Sequence, residues 1–197
     1  MNGLLLVAHP DDELLFAGGA MLMTPDIQWT ILCATYRLAD KRGQQLQRCA
    51  EGLRQYGANV VGIDFLGRPD CGTILHDQGF REWKKVLRGK LVAYRPDFVL
   101  THNRLGEYGH PHHMALSAMT RQLYRGPINH FYFRAPSSVG PQEELDEVLT
   151  IKLPREIIEK KQRIMKTAYA DVIIPITWNQ PELMYVCFRE ESFTCAS

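Results

Sequence analysis

Leu4-Leu5-Leu6-Val7-Ala8-His9-Pro10-Asp11-Asp12-Glu13 is the stretch whose reading decides the fold of this chain. Leu4 to Val7 form an aliphatic run of strand length, bounded by Pro10, whose ring fixes φ and removes a backbone donor. Apolar residues resume at Leu14-Leu15-Phe16-Ala17 with the character of a helix. Strand, sharp turn and helix make the unit that places side chains at the carboxyl edge of an open α/β sheet. The turn carries one imidazole and three carboxylates within residues 9–13, a metal-ligand composition. A complete ligand set needs a contribution from elsewhere, and His110-Pro111-His112-His113 has the matching chemistry.

Outward from this turn, strand-like and helix-like segments alternate, the pattern of βα units around a mostly parallel sheet. A helix is expected from about Asp12 to Met23, with Gly18-Gly19 inside it. Those glycines cost helix stability, so close packing against the sheet is expected there. Gln28 to Thr35 reads as the second strand, and Gln44 to Tyr56 as a helix with Leu46, Cys49, Leu53 and Tyr56 on one face. Val60 to Leu66 is the third strand, followed by the loop Gly67 to Gly72 and a helix from His76 to about Val92. Phe98 to Thr101 is the fourth strand; a loop from His102 to Gly109 leads to a helix from His110 to about Leu123. His130 to Phe133 is the fifth strand, Ser137 to Glu144 a polar surface connection, and Val148 to Leu153 a further strand. Pro154 opens a helix running to about Ala168, and Val172 to Ile176 and Met184 to Phe188 are the last strand candidates. The expected fold is α/β, a Rossmann-like, mostly parallel sheet flanked by helices, in one domain over residues 1–197.

Composition narrows the function classes. The chain has 197 residues, 45% of them apolar, enough for one domain with a sizeable core. A formal net charge of +1 gives no electrostatic ground for nucleic acid or an anionic membrane as partner. The cluster Lys84, Lys85, Arg88, Lys90 reads as the solvated face of a helix. No apolar stretch approaches the ~20 residues of a membrane span, and no basic leader precedes Leu4, so a cytoplasmic location is expected. Five cysteines with no C-x-x-C pair argue against a disulfide framework and a cysteine zinc knuckle, and Cys71 reads as a plain thiol.

The chemistry concentrates in two loops. His9 and Asp12 are three residues apart where a helix begins, so they project from one side of its first turn. His110 and His113 repeat that spacing at the start of another helix, again after a strand. Carboxyl ends of parallel strands gather on one edge, which brings the two loops together. Two His and one Asp plus water is the composition of a catalytic zinc site with an open position. There, water becomes acidic enough to act near neutral pH, and a neighbouring carboxylate outside the ligand set can take its proton. Each residue taken singly has a blander reading, as a surface histidine, a helix cap or a partner of the helix dipole. The coincidence of two strand-to-helix turns with matched spacing favours the metal.

Ala8-His9-Pro10-Asp11-Asp12-Glu13 with Gly18-Gly19 resembles the first motif of the LmbE-like/PIG-L zinc deacetylases. Gly106-Glu107-Tyr108-Gly109-His110-Pro111-His112-His113 resembles that family's second motif, and weaker similarity extends to Thr35, the Leu66 to Asp70 loop and Glu191-Ser192-Phe193. The resemblance implies removal of an N-acetyl group from a small amino-sugar conjugate. It implies His9, Asp12 and His113 as zinc ligands and Asp11 as the general base. It further implies His110 as the residue that stabilises the oxyanion or protonates the leaving amine, and Tyr108 as a group polarising the carbonyl. Asp70 matches a position that holds a sugar hydroxyl, Arg68 is a looser candidate for substrate contact, and Glu13 is expected to support the loop. The chain departs from the family pattern at His112, where many relatives carry Asp, and at Gln45 and Arg48, where Arg and Glu are expected. Three alternatives remain at this level: an amidase for a longer acyl chain or a thiol conjugate, a non-haem iron oxygenase built on the same ligand types, and a metal-containing binding protein. Iron (Fe2+) is also compatible with a deacetylase ligand set of this kind.

Overall fold

A computed structural model describes residues 1–71, 77–132, 148–170 and 190–194. Its strands are β1 (Asn2–Val7), β2 (Gln28–Thr35), β3 (Val60–Arg68), β4 (Phe98–Thr101), β5 (Ile128–Tyr132), β6 (Val148–Lys152) and β7 (Glu190–Thr194). The helices are α1 (Asp12–Met23), α2 (Lys41–Gln55), α3 (Asp77–Tyr94), the short irregular turn α4 (Gly106–Gly109), α5 (Pro111–Leu123) and α6 (Arg155–Ala168). The strands form one seven-stranded sheet in the order β3-β2-β1-β4-β5-β7-β6. β3, β2, β1, β4 and β5 run parallel, and β7 is antiparallel to both of its neighbours. The chain winds outward from β1 through β2 to β3, then returns to place β4 on the other side of β1. The gap between the carboxyl ends of β1 and β4 is therefore the topological switch point, where open α/β sheets place their ligands.

β1 shows why the fold can be read from its centre. Leu5 and Val7 enter one core with α1, α2 and α6, whereas Leu4, Leu6 and Ala8 enter a second core with α3 and α5. All five are fully buried, as expected of a strand covered on both faces. At ~25 cal/mol per Å2, each such side chain contributes roughly 1.5–3 kcal/mol, which holds the turn at residues 9–13 on a rigid base.

Several expected boundaries shift for local reasons. α2 begins at Lys41 rather than Gln44, because Asp40 in extended backbone starts the helix three residues earlier. The loop from His102 to Gly109 contains the turn α4, and α5 starts at Pro111, with His110 as its cap residue. Gly18 and Gly19 do allow close packing, but the neighbours are Lys161, Leu153 and Glu191 rather than the parallel strands. A Cβ on Gly19 would lie 2.5 Å from Leu153 Cδ2 and 3.0 Å from Glu191 Cδ. Glu191 Oε1 and Oε2 accept the Gly19 and Ala20 N–H groups at 2.6 and 2.7 Å, and Lys161 Nζ donates to Glu191 and to the Leu15 carbonyl. This buried pair locks α6 and strand β7 onto α1. Ser137 to Glu144 and the strand candidates Val172 to Ile176 and Met184 to Phe188 lie outside the described residues. Among the described residues, no helix is long and apolar enough to cross a membrane.

Candidate metal centre

His9, Asp12 and His113 meet at the switch point. His9 and Asp12 leave the β1–α1 turn and His113 the first turn of α5, and their ligand atoms lie within 4.8 Å of one another. The separations are nearly uniform. His9 Nδ1 to Asp12 Oδ2, His113 Nε2 to Asp12 Oδ2, and His113 Nε2 to His9 Nδ1 are each 3.4 Å. A tetrahedral ion with bonds of ~2.0–2.1 Å separates its ligand atoms by about 3.3–3.4 Å, so the donor set fits a four-coordinate metal.

Hydrogen bonding behind the imidazoles sets which nitrogen faces inward. His112 Nε2–H donates to the Cys71 carbonyl at 3.0 Å, leaving Nδ1 to accept the His9 Nε2–H at 3.0 Å. The His9 lone pair on Nδ1 then points at Asp12 and His113. His113 Nδ1–H donates to Glu107 Oε2 at 2.6 Å, which turns Nε2 to the same point. Such outer partners fix tautomer and ring orientation and raise ligand basicity. Burial opposes charge on His9, yet Asp12 and Asp70 overcome it and push His9 up to about 9; His113 also rises against burial, chiefly through Asp12. Burial likewise opposes charge on Asp12, but His113, His102 and His9 hold its carboxyl well below the usual range. The cluster attracts positive charge, and a metal ion would compete with protons for it.

Two other groupings of ligand-type side chains are closed by their own hydrogen bonds. His102 and His113 both donate to Glu107 Oε2, at 2.9 and 2.6 Å. In the grouping of His9, His110 and His112, the His9–His112 bond already fills the gap.

Asp11, next to Asp12 in the turn, has a strained backbone of φ 119°. Its N–H donates to Glu13 Oε2 at 2.9 Å, and its Oδ2 accepts from Arg42 Nη2 at 2.8 Å. Glu13 is fully buried, with Tyr169 Oη donating to its Oε1 at 2.5 Å, and the Arg42 guanidinium stacks on the Tyr169 ring at 5.7 Å. Glu13 thus supports the turn, as expected. Burial raises the Asp11 carboxyl, Asp12 adds to the rise and Arg42 opposes it, leaving it pushed up to about 6.

The His110 ring lies edge-on to His9 at 4.7 Å and tilted against His113 at 4.6 Å. Its Nδ1 accepts the His112 N–H at 3.3 Å, so the proton of the neutral ring is on Nε2. Burial and the neighbouring imidazoles push His110 down to about 3. The Tyr108 ring lies 5.9 Å from His110 and 5.5 Å from His113. Asp70 Oδ1 is 3.5 Å from His9 Nε2, with Tyr36 Oη donating to its other oxygen at 2.8 Å. Arg68 lies further out, with Nη1 3.7 Å from Glu82, and joins the site only through the cavity it shares with Asp70.

Three residues of the site carried no assigned role in the sequence. Glu107 takes both imidazoles on Oε2 and the Asn103 N–H on Oε1 at 2.9 Å, from a strained backbone of φ 60°. His102 accepts the Ala8 N–H on Nε2 at 3.0 Å, tying the end of β1 to β4. Arg42 reaches Asp11 and the Pro10 carbonyl from α2. The available signal for His102 was its place directly after a strand, as with His9; for Arg42 there was none.

The family model described as GlcNAc-PI de-N-acetylase (PIG-L) matches residues 4–124, from β1 through the second histidine loop to the end of α5. The chain belongs to the PIG-L family. An uncharacterized protein of Acanthamoeba polyphaga mimivirus is 24% identical over 176 residues, covering 84% of this chain and 74% of that protein. Among solved structures, a triple mutant of a deacetylase of the teicoplanin biosynthetic pathway aligns with a TM-score of 0.73 at 16% identity, covering 100% of this chain and 98% of that one. The N,N'-diacetylchitobiose deacetylase of Pyrococcus horikoshii, complexed with an inhibitor, aligns with a TM-score of 0.71 at 17% identity, covering 98% and 83%. The PIG-L fold also matches GalB, a 4-carboxy-2-hydroxymuconate hydratase of Pseudomonas putida, with a TM-score of 0.61 at 16% identity over 95% and 82%. Fold alone therefore does not select the reaction; the side chains of the site do.

Proposed function

We propose that this PIG-L member is a zinc-dependent hydrolase that removes an N-acetyl group from a small amino-sugar conjugate in the cytoplasm, its single domain spanning residues 1–197. The observation that carries the reading is the uniform 3.4 Å triangle of His9, Asp12 and His113 with the Asp11 carboxylate beside it. The two-histidine, one-carboxylate set stands on strand-to-helix turns of an α/β sheet with the Asp11 carboxyl beside it, which favours a zinc hydrolase over an iron oxygenase. A binding protein would have no use for a buried base beside such a set. When bound, zinc would acidify a water and polarise the acetyl carbonyl.

Asp11 takes a proton from the attacking water, a task suited to a carboxyl pushed up to about 6. His110 donates from neutral Nε2–H to the oxygen of the tetrahedral centre, with Tyr108 behind it. Because burial and the neighbouring imidazoles disfavour a charge on His110, we assign delivery of a proton to the leaving amine to Asp11, which holds the one it took. Asp70, half-open beside His9, accepts a sugar hydroxyl.

Acetate release from N-acetylglucosamine conjugates, with zinc added, tests the reading. Asp11→Asn is expected to keep zinc by elemental analysis and to lose about 10²–10⁴-fold in kcat. Release of a longer fatty acid in place of acetate would move the assignment to another amidase, and undiminished turnover in Asp11→Asn would remove Asp11 from the mechanism.

A further inference from the structure

Asp11 is held at two points, and both lead to Tyr169 at the end of α6. The Asp11 N–H donates to Glu13 Oε2 at 2.9 Å, and Tyr169 Oη donates to the other oxygen of that carboxylate at 2.5 Å. Asp11 Oδ2 accepts from Arg42 Nη2 at 2.8 Å, and the Arg42 guanidinium lies over the Tyr169 ring, 5.7 Å from its centroid. We propose that Tyr169 is a positioning residue for the base. Its hydroxyl fixes the Asp11 backbone through Glu13, and its ring fixes the Asp11 carboxylate through Arg42. The proposal rests on the reading of Asp11 as the base for its effect on turnover, and on the hydrogen-bonded chain alone for the geometry.

Asp11 needs such support. A φ of 119° is strained in a residue with a Cβ and persists only where the surroundings over-determine it. Asp11 stands at the cap position of α1, yet its carboxylate makes no bond to that helix. Glu13 is fully buried, and its side-chain donors are the Tyr169 hydroxyl and the Cys49 thiol, the thiol being the weaker. Without the hydroxyl, one Glu13 oxygen is short of a donor in a dry site, and the carboxylate no longer has a fixed orientation toward the Asp11 N–H. Burial and the Glu13 charge push the Tyr169 hydroxyl well above its ordinary range, so it stays a donor.

The packing of α6 sets where Tyr169 stands. It meets Glu13 across 156 positions and lies beyond residues 4–124, the span that the family model matches. Its N–H closes α6 on the Met165 carbonyl at 2.9 Å, and its side chain is fully buried. Lys161 ties α6 to α1, the helix that carries Glu13, through the Leu15 carbonyl and Glu191. Arg48 Nη2 donates to the Ala168 carbonyl at 3.3 Å, a cation at the negative end of α6, and ties it to α2, the helix that carries Arg42. A Cβ on Gly52 would lie 3.1 Å from Ile164 Cγ1, so the glycine brings α2 and α6 close enough for Arg42 to lie on the ring. Tyr169 is thus seated by the same two helices whose side chains it orients.

The test uses the zinc-loaded full chain, acetate release from N-acetylglucosamine conjugates, and hydrogen exchange at the Asp11 amide. Tyr169→Phe keeps the ring under Arg42 and removes the hydroxyl; kcat should fall about tenfold, with KM and zinc affinity within about twofold of the parent. Tyr169→Leu removes both supports and should cost about 100-fold. Ile157→Val loosens the buried face of α6 far from Tyr169 and should lower stability to urea while leaving kcat within about twofold. In an Asp11→Asn background, Tyr169→Phe should cost nothing further, because it acts through Asp11. Exchange at the Asp11 amide needs no substrate and should be about tenfold faster in Tyr169→Phe than in the parent or in Ile157→Val. Glu13→Gln weakens the same chain from its middle and should speed that exchange as well. Parental kcat in Tyr169→Phe, or an equal loss in the Asp11→Asn background, overturns the proposal. If the parent releases no acetate, or Asp11→Asn keeps full turnover, the reading of the base fails, and exchange alone then decides: faster exchange in Tyr169→Phe keeps Tyr169 as the support of Asp11, and parental exchange removes it.

Discussion

Glu107→Gln probes how the ligand set is held, because the two carboxylate oxygens of Glu107 have different partners. Oε2 accepts from His113 Nδ1 at 2.6 Å and His102 Nδ1 at 2.9 Å, while Oε1 accepts from the Asn103 N–H at 2.9 Å. A carboxamide has one accepting and one donating end. With its oxygen toward the imidazoles, its NH2 faces the buried Asn103 N–H, and loss of that acceptor costs about 1–3 kcal/mol. In the other orientation the NH2 faces two ring N–H donors, and both imidazoles must move their protons. His113 would then carry hydrogen on Nε2, the atom 3.4 Å from both Asp12 and His9. Either way the outer partner is weakened, and a loss of about 10–100-fold in zinc affinity follows, ~1.4–2.7 kcal/mol. Competition with a chromophoric chelator measures the affinity, urea denaturation of the metal-free protein measures the stability, and ¹⁵N shifts of the imidazoles report the tautomers. Zinc binding within about twofold of the parent, with His113 Nε2 unprotonated, would refute the reasoning.

Three further perturbations test other parts of the site. Arg42 lowers the Asp11 carboxyl against the rise from burial and Asp12, and the base works ionised; in Arg42→Gln the acid limb of log kcat/KM should move to higher pH, and a limb that stays or moves lower would exclude the coupling. His112→Phe removes the acceptor for His9 Nε2–H; zinc affinity by calorimetry should fall about tenfold, and an unchanged value would mean that Asp70 orients His9 instead. Lys161→Met leaves the buried Glu191 carboxylate without its cation; urea denaturation should show a loss of about 3–5 kcal/mol, and a loss below about 1 kcal/mol would make the pair dispensable.

What could be read along the chain is what covalent adjacency enforces. Four aliphatic residues ended by a proline and three acids favour a strand followed by a turn, and H-x-x-D at a helix start puts His9 and Asp12 on one side. The periodic runs placed α1, β2 and β4 at their observed bounds for the same reason. The second histidine loop then supplied His113, which the fold brings within 4.8 Å of His9 and Asp12. The remaining features depend on contacts between distant residues. Glu191 meets Gly19 across 172 positions, His102 meets Ala8 across 94, and Arg42 meets Asp11 across 31, and no local pattern names these partners. Glu107 is only five residues from His102, yet its carboxylate reaches both imidazoles from a positive-φ backbone inside the irregular turn α4, a conformation that the residue type does not announce. The sequence alone determined the strand, the turn and the kinds of side chain gathered there; the tertiary structure decided which donors face each carboxylate oxygen, because those partners come from distant parts of the chain.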